Sequence, residues 1–166
     1  MSLIAAHTVD SISGNNMAET CNLVSSDKKL LKEGKMVKIT EEMKALIKEQ
    51  QAFIATATPD GTPSIAPKGS TRVLDEEHII FSESAGKRTY ENIKKNPKVA
   101  IVACDRAQMK CIRFHGKAEI LTSGPLFEKS VEAMKKMGAP PPHAVIKVKI
   151  EEIYDLGIPG FGEKIS

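Results

Sequence analysis

The run Ala52-Phe53-Ile54-Ala55-Thr56-Ala57, the turn Thr58-Pro59-Asp60-Gly61 and the run Thr62-Pro63-Ser64-Ile65-Ala66 decide the reading of the fold. Two short runs of β-forming residues joined by a Pro-Asp-Gly turn predict a hairpin, with Pro63 and Pro67 restricting its second strand to an edge or a strand end. Ser70 to Leu74 and His78 to Ser82, turned by Asp75-Glu76-Glu77, predict a second strand pair directly afterwards. Strands that follow one another through tight turns point to a meandering antiparallel sheet, not to alternating strand and helix units.

Upstream of the hairpin, Thr40 is a helix N-cap, and Met43, Leu46 and Ile47 follow on one face of a segment that ends near Gln51. Downstream, Gly86 to Asn96 predicts a short helix with Tyr90 and Ile93 as apolar contacts and Pro97 as its stop. Lys98 to Cys104 is a buried strand, and Lys110 to Leu121 a long one in which Gly116 marks a bulge or a close backbone approach. Ser123 is expected to cap a third helix with Pro125 at its start, Phe127, Val131 and Met134 inward and Gly138 at its end. Ala144 to Leu156 supplies the closing strand, with Val145, Lys147 and Lys149 on one face and Ile146, Val148 and Ile150 on the other. The expectation is a mainly β, α+β chain of about six to seven strands and about three short helices, its sheet closed or nearly closed to remove its edges. Residues 1–36 mix Ser, Asn, Thr, Asp and Lys with short apolar pairs and no lasting period, and are expected to form a flexible extension before a domain over 37–166.

Composition narrows the function classes. The chain has 166 residues, 41% of them hydrophobic and 27% charged, enough for one core. A net charge of +3 is far weaker than the footprint of a dedicated nucleic-acid binder and suits a small anionic ligand better. Exposed aromatic stacking platforms are scarce as well: Phe53, Phe81, Phe114 and Phe127 read as core. No apolar run is long enough to span a bilayer and the start lacks the pattern of a secretory signal, so the expected location is cytoplasmic, with no membrane partner. Cys21, Cys104 and Cys111 match neither a C-x-x-C pair nor a zinc site; no structural disulfide is expected, and Cys104 and Cys111 read as reduced packing residues. His78 and His143 stand apart from any carboxylate cluster, and no metal site is expected.

The familiar catalytic motifs are missing from the sequence: there is no nucleophile elbow, no HExxH, no Walker loop and no GxGxxG. Two polar, basic clusters remain beside strand ends, Pro67-Lys68-Gly69-Ser70-Thr71-Arg72 and Ser82-Glu83-Ser84-Ala85-Gly86-Lys87-Arg88-Thr89. The second lies where a helix begins, and free backbone N–H groups, a hydroxyl and two cations there make a site for an anion such as a phosphate. Cations in a first turn oppose the helix dipole unless an anion offsets them. Lys68, Ser70 and Arg72 could donate to the same anion, while Arg113 and His115 alternate so as to share one face of the long strand.

The order of these pieces carries a resemblance. Ala52-Phe53-Ile54-Ala55-Thr56 with Pro59-Asp60-Gly61-Thr62-Pro63, then Val73-Leu74-Asp75, Lys87-Arg88-Thr89 and Asn92-Ile93-Lys94-Lys95-Asn96-Pro97-Lys98-Val99, resembles the pyridoxamine 5'-phosphate oxidase-like family of FMN-binding split barrels over about 37–156. The resemblance implies an antiparallel split β-barrel and a homodimer with FMN at the subunit interface. It implies that Lys87, Arg88 and Thr89 hold the flavin phosphate and that Lys68 and Ser70 line the cofactor. It further implies that Ser82, Glu83 and Ser84 approach the flavin ring, with His115 on a partner strand. The implied activity is that of an FMN-dependent oxidoreductase, the flavin doing the hydride chemistry. Alternatives within the same fold are a non-catalytic flavin or electron carrier and a barrel that uses deazaflavin or haem. Oxidases of pyridoxamine phosphate proper carry a C-terminal segment with Trp and Arg that handles substrate; this chain has no Trp and ends Gly160-Phe161-Gly162-Glu163-Lys164-Ile165-Ser166, so that reaction is not expected of it.

Overall fold

The computed structural model describes residues 37–166; the expected N-terminal extension, residues 1–36, lies outside them. Thr40 opens the first helix as predicted: its hydroxyl accepts the Met43 backbone N–H at 3.4 Å, and α1 (Glu41–Glu49) buries Met43, Leu46 and Ile47. The hairpin pairs β1 (Ala52–Ala57) with β2 (Pro63–Pro67), and its turn is closed by Thr58, which receives the Thr62 N–H at 3.0 Å and bonds the Asp60 carboxylate. Then come β3 (Arg72–Val73), β4 (His78–Glu83), α2 (Arg88–Lys95), β5 (Lys98–Asp105), β6 (Lys110–Leu121), α3 (Pro125–Lys136), β7 (Ala144–Asp155) and β8 (Glu163–Lys164).

All pairings are antiparallel, in the order β2-β1-β5-β6-β7-β4-β3, with β8 added to the end of β7. The two outermost strands, β2 and β3, are consecutive in the chain, and this dictates the shape. Pro67 and Arg72 can be separated by roughly 18 Å of extended backbone, whereas six flat inter-strand gaps would need roughly 29 Å. The sheet must therefore curl until its edges approach, which makes a split barrel whose opening is crossed by Lys68–Thr71. Ile54, Phe81, Ile101, Phe114, Ile146 and Ile153 fill the interior, all fully buried. The face of α2 formed by Thr89, Asn92 and Ile93 is buried too, with Asn92 Nδ2 donating to Thr56 Oγ1 at 3.0 Å.

The register of β6 on β7 shifts between His115 and Gly116, as Gly116 foretold: His115 faces Glu152 but Gly116 faces Ile150. Glu151 is the extra residue. A Cβ on Gly116 would overlap the Lys149 carbonyl oxygen and come within 2.9 Å of Val148 Cγ1, so only glycine fits. Gly116→Ala is expected to destabilise the fold by about 1–3 kcal/mol, seen as a lower denaturation midpoint at unchanged m-value.

Several expectations need correction. The cap of α3 is Gly124, with φ 88°, and not Ser123; the side chain buried from that helix is Ser130, while Phe127, Val131 and Met134 are only half-buried. Phe53 is 42% exposed, because odd-numbered positions of β1 point out of the barrel. The two faces of β7 alternate as expected, and Val145 is buried together with Ile146 and Val148, since both faces are covered at that end. Most clearly, Cys104 and Cys111 are not reduced packing residues: they are opposed across β5 and β6 and joined by a disulfide. Sequence spacing could not show this, because it is the length of the turn after Asp105 that sets them in register.

Candidate functional site

The opening of the barrel gathers most of the predicted residues. Ser70, in the crossing segment, receives the Ser82 backbone N–H on its hydroxyl at 2.9 Å and so ties that segment to β4. Lys68 Nζ lies 2.6 Å from Glu83 Oε2, an ion pair whose side chains are only 15% and 2% exposed. The second Glu83 oxygen accepts the Ala85 N–H at 3.2 Å, so this carboxylate is held on both sides. Thr71 is buried and donates its hydroxyl to the Lys68 carbonyl at 2.7 Å. The crossing segment is thereby latched to the end of β4. A buried ion pair needs such supporting bonds to offset its desolvation.

From that latch the chain passes directly into the helix start. Ser84, Lys87 and Arg88 are exposed, and Thr89 is buried. The N-cap position of α2 is Lys87 itself, and no side chain caps the helix. Among the described residues neither Lys87 nor Arg88 forms an ion pair. Unpaired N–H groups and two unneutralised cations at one helix end form a ready receptor for a dianionic group. Gly86, with φ 58°, packs against the His143 ring, so the approach to the helix is fixed in shape. The Ser82 hydroxyl is bonded to the buried Ser130 hydroxyl at 2.7 Å, which joins β4 to α3.

His115 is not part of this cluster within one chain. It stands on the outer face of the sheet, its Nδ1 3.4 Å from Glu152 Oε2 and its ring 5.1 Å from that of Tyr154. Glu152 also receives Lys164 Nζ at 2.6 Å and the Tyr154 hydroxyl at 2.8 Å, and the Arg113 guanidinium lies 4.5 Å from the centre of the Tyr154 ring. Glu152, Tyr154 and Lys164 did not emerge from the sequence. The period-two placement of Glu152 and Tyr154 on β7 was visible, but a regular ladder continued from Gly116↔Ile150 would have assigned Glu151, not Glu152, to His115.

The Lys164 and Tyr154 hydrogen bonds hold the Glu152 carboxyl well below the usual range, at about 2. The same contacts raise Tyr154 and Lys164. A carboxylate with a lowered folded-state value contributes stability above its unfolded value, and loses that contribution as pH falls through the folded one. Carboxyl-carbon NMR should therefore show Glu152 titrating near pH 2, and Lys164→Met should move its midpoint upward.

Beside this cluster the outer face is apolar. Phe53 lies opposite Pro67 and Val102, Ala55 opposite Ile65 and Ala100, and Ala100 opposite His115. Phe53 and Ile65 are 42% and 68% exposed, a contiguous apolar strip of the kind that marks an interaction surface. A groove of about 640 Å³ opens along it, lined among others by Ala57, Pro63, Lys98, His115 and Glu152. Among the described residues no group of three or more His, Cys, Asp and Glu could hold a metal ion, and no helix is long and apolar enough to cross a membrane.

Known proteins resemble this chain. HupZ of Group A Streptococcus is 37% identical, with a TM-score of 0.68, covering 72% of this chain and 95% of its own. An uncharacterised protein of Methanocaldococcus jannaschii is 34% identical over 125 residues, 73% of this chain and 83% of that protein. An FMN-binding protein of Syntrophomonas wolfei, 17% identical with a TM-score of 0.61, covers 86% of this chain and 99% of its own and shares the fold. The family model described as pyridoxamine 5'-phosphate oxidase matches residues 39–157, from just before α1 to just past β7. On that match and those relatives, the chain belongs to the pyridoxamine 5'-phosphate oxidase family of split barrels.

Proposed function

We propose that the protein is an FMN-binding oxidoreductase acting as a homodimer, with the flavin phosphate on Lys87 and Arg88 and the flavin ring at the subunit interface. The observation that carries this reading is the uncapped start of α2, where two exposed cations and free backbone N–H groups stand together without a counter-ion among the described residues. A phosphate there would receive charge-assisted hydrogen bonds from both side chains and favourable alignment with the helix dipole. Ser84 and Thr89 add hydroxyls beside it. The Lys68–Glu83 pair fixes the crossing segment, so Ser70 and the end of β4 keep their shape around the cofactor.

The apolar strip of β2, β1 and β5 supports the dimer, because a face carrying Phe53 and Ile65 gains most by meeting another copy and excluding water. His115 stands on that face. With Glu152 ionised, Nδ1 of His115 donates toward it and Nε2 remains to accept or hold a proton at a ligand. Bound FMN would supply two-electron hydride chemistry, with the protein orienting it and shielding it from solvent.

Gel filtration with light scattering and an absorbance record tests the assembly. The expected peak has twice the chain mass and retains a flavin spectrum after excess FMN is removed; a monomer, or a colourless dimer, contradicts the proposal. Turnover of NAD(P)H with an added acceptor then separates an oxidoreductase from a carrier.

A further inference from the structure

Cys104 and Cys111 occupy matched positions of the β5–β6 ladder, with Cα atoms 4.0 Å apart and their sulfurs bonded. The backbone alone brings them together, in the pair next to Asp105↔Lys110 at the turn. Cys104 is exposed and Cys111 half-buried. Both lie on the outer face, alternating with Ala103 and Ile112, and Arg113 follows Cys111 on that same face. None of these residues belongs to the site at the barrel opening.

Two features separate this pair from a structural staple. It closes a separation of only seven residues between strands already joined by their ladder. A cross-link over so short a loop removes little freedom from the unfolded chain compared with one that joins distant segments. Cys104 is also exposed, and exposed disulfides are the labile ones.

We propose that Cys104 and Cys111 form a redox-active dithiol/disulfide site that exchanges two electrons with a low-molecular-weight monothiol. In the reducing direction the external thiolate attacks Cys104 Sγ and forms a mixed disulfide. The Cys104–Cys111 bond breaks, and Cys111 leaves as a thiolate that takes up a proton. A second monothiol attacks the mixed disulfide, releasing the Cys104 thiol and the external disulfide. Two thiols are oxidised to one disulfide while the protein disulfide is reduced to two thiols, so electrons and protons balance. This proposal is independent of the flavin reading.

The test uses the full chain carrying Cys21→Ser, so that the pair supplies the only cysteines. The native protein is equilibrated in glutathione buffers of graded reduced-to-oxidised ratio, quenched with acid, denatured, alkylated and weighed by mass spectrometry. The alkylated thiols are expected to rise from none to two as the ratio increases, with reversal on return to oxidised glutathione. Cys111→Ser in the same background should trap one glutathione on Cys104. A pair that stays oxidised at every ratio until the protein is unfolded would be a structural cross-link and would overturn the proposal. A pair that stays fully alkylatable in oxidised glutathione would overturn it as well.

Discussion

Replacing both Lys87 and Arg88 by alanine is expected to weaken FMN binding at least about a hundredfold while leaving the fold intact. The size follows from the chemistry: a hydrogen bond to a charged group is worth about 1.5–3 kcal/mol, and the double substitution removes two, so about 3 kcal/mol is the lower bound. The fold should tolerate the change, because both side chains are exposed and neither is paired among the described residues. The buried face of α2 is made by Thr89, Asn92 and Ile93 instead. Removing two cations from a first turn should even relieve the helix dipole when no ligand is present. Flavin fluorescence titration measures the affinity, and circular dichroism checks the fold. An unchanged affinity would place the phosphate elsewhere.

Lys68→Met is expected to cost about 3–5 kcal/mol of stability, since it strands a carboxylate that is buried and ion-paired. Glu83 would keep only the Ala85 N–H, at 3.2 Å. Because Lys68 lies in the segment that crosses the split, the loss should loosen the barrel opening together with the ends of β2 and β4. Pairing the change with Glu83→Leu removes the stranded charge, and the double variant should recover much of the loss. Chemical denaturation of the wild type, both single variants and the double variant forms the cycle. Equal stability of Lys68→Met and the wild type would show that the pair does not latch the opening.

The fold was legible in the sequence where local chemistry is strong. The Thr40 cap, the Pro59-Asp60-Gly61 turn, the Pro97 stop and Gly116 each force a local conformation whatever lies around them, and each stands where it was expected. The gathering of Lys68, Ser70, Ser82 and Glu83 was also legible in outline, as two clusters beside strand ends. What those residues do with one another was not. No local pattern says that Lys68 is brought to Glu83 across the split, or that Ser130 of α3 meets the Ser82 hydroxyl. Exposure of Phe53 depends on which face of the curled sheet lacks cover, and no local pattern reports that. The cysteine pair and the Glu152 cluster depend on register, in one case set by a turn and in the other by a bulge of a single residue. Errors therefore gather where one strand's meaning depends on its neighbour.

The most direct test of the central claim compares FMN with riboflavin, which carries the same ring without the phosphate. Equilibrium titration of the purified full chain by flavin fluorescence would give both affinities. If Lys87 and Arg88 hold the phosphate, FMN binds at least about a hundredfold more tightly than riboflavin, and the Lys87→Ala, Arg88→Ala variant reduces that preference towards unity. Equal affinity for the two flavins, or no affinity for either, would contradict the account.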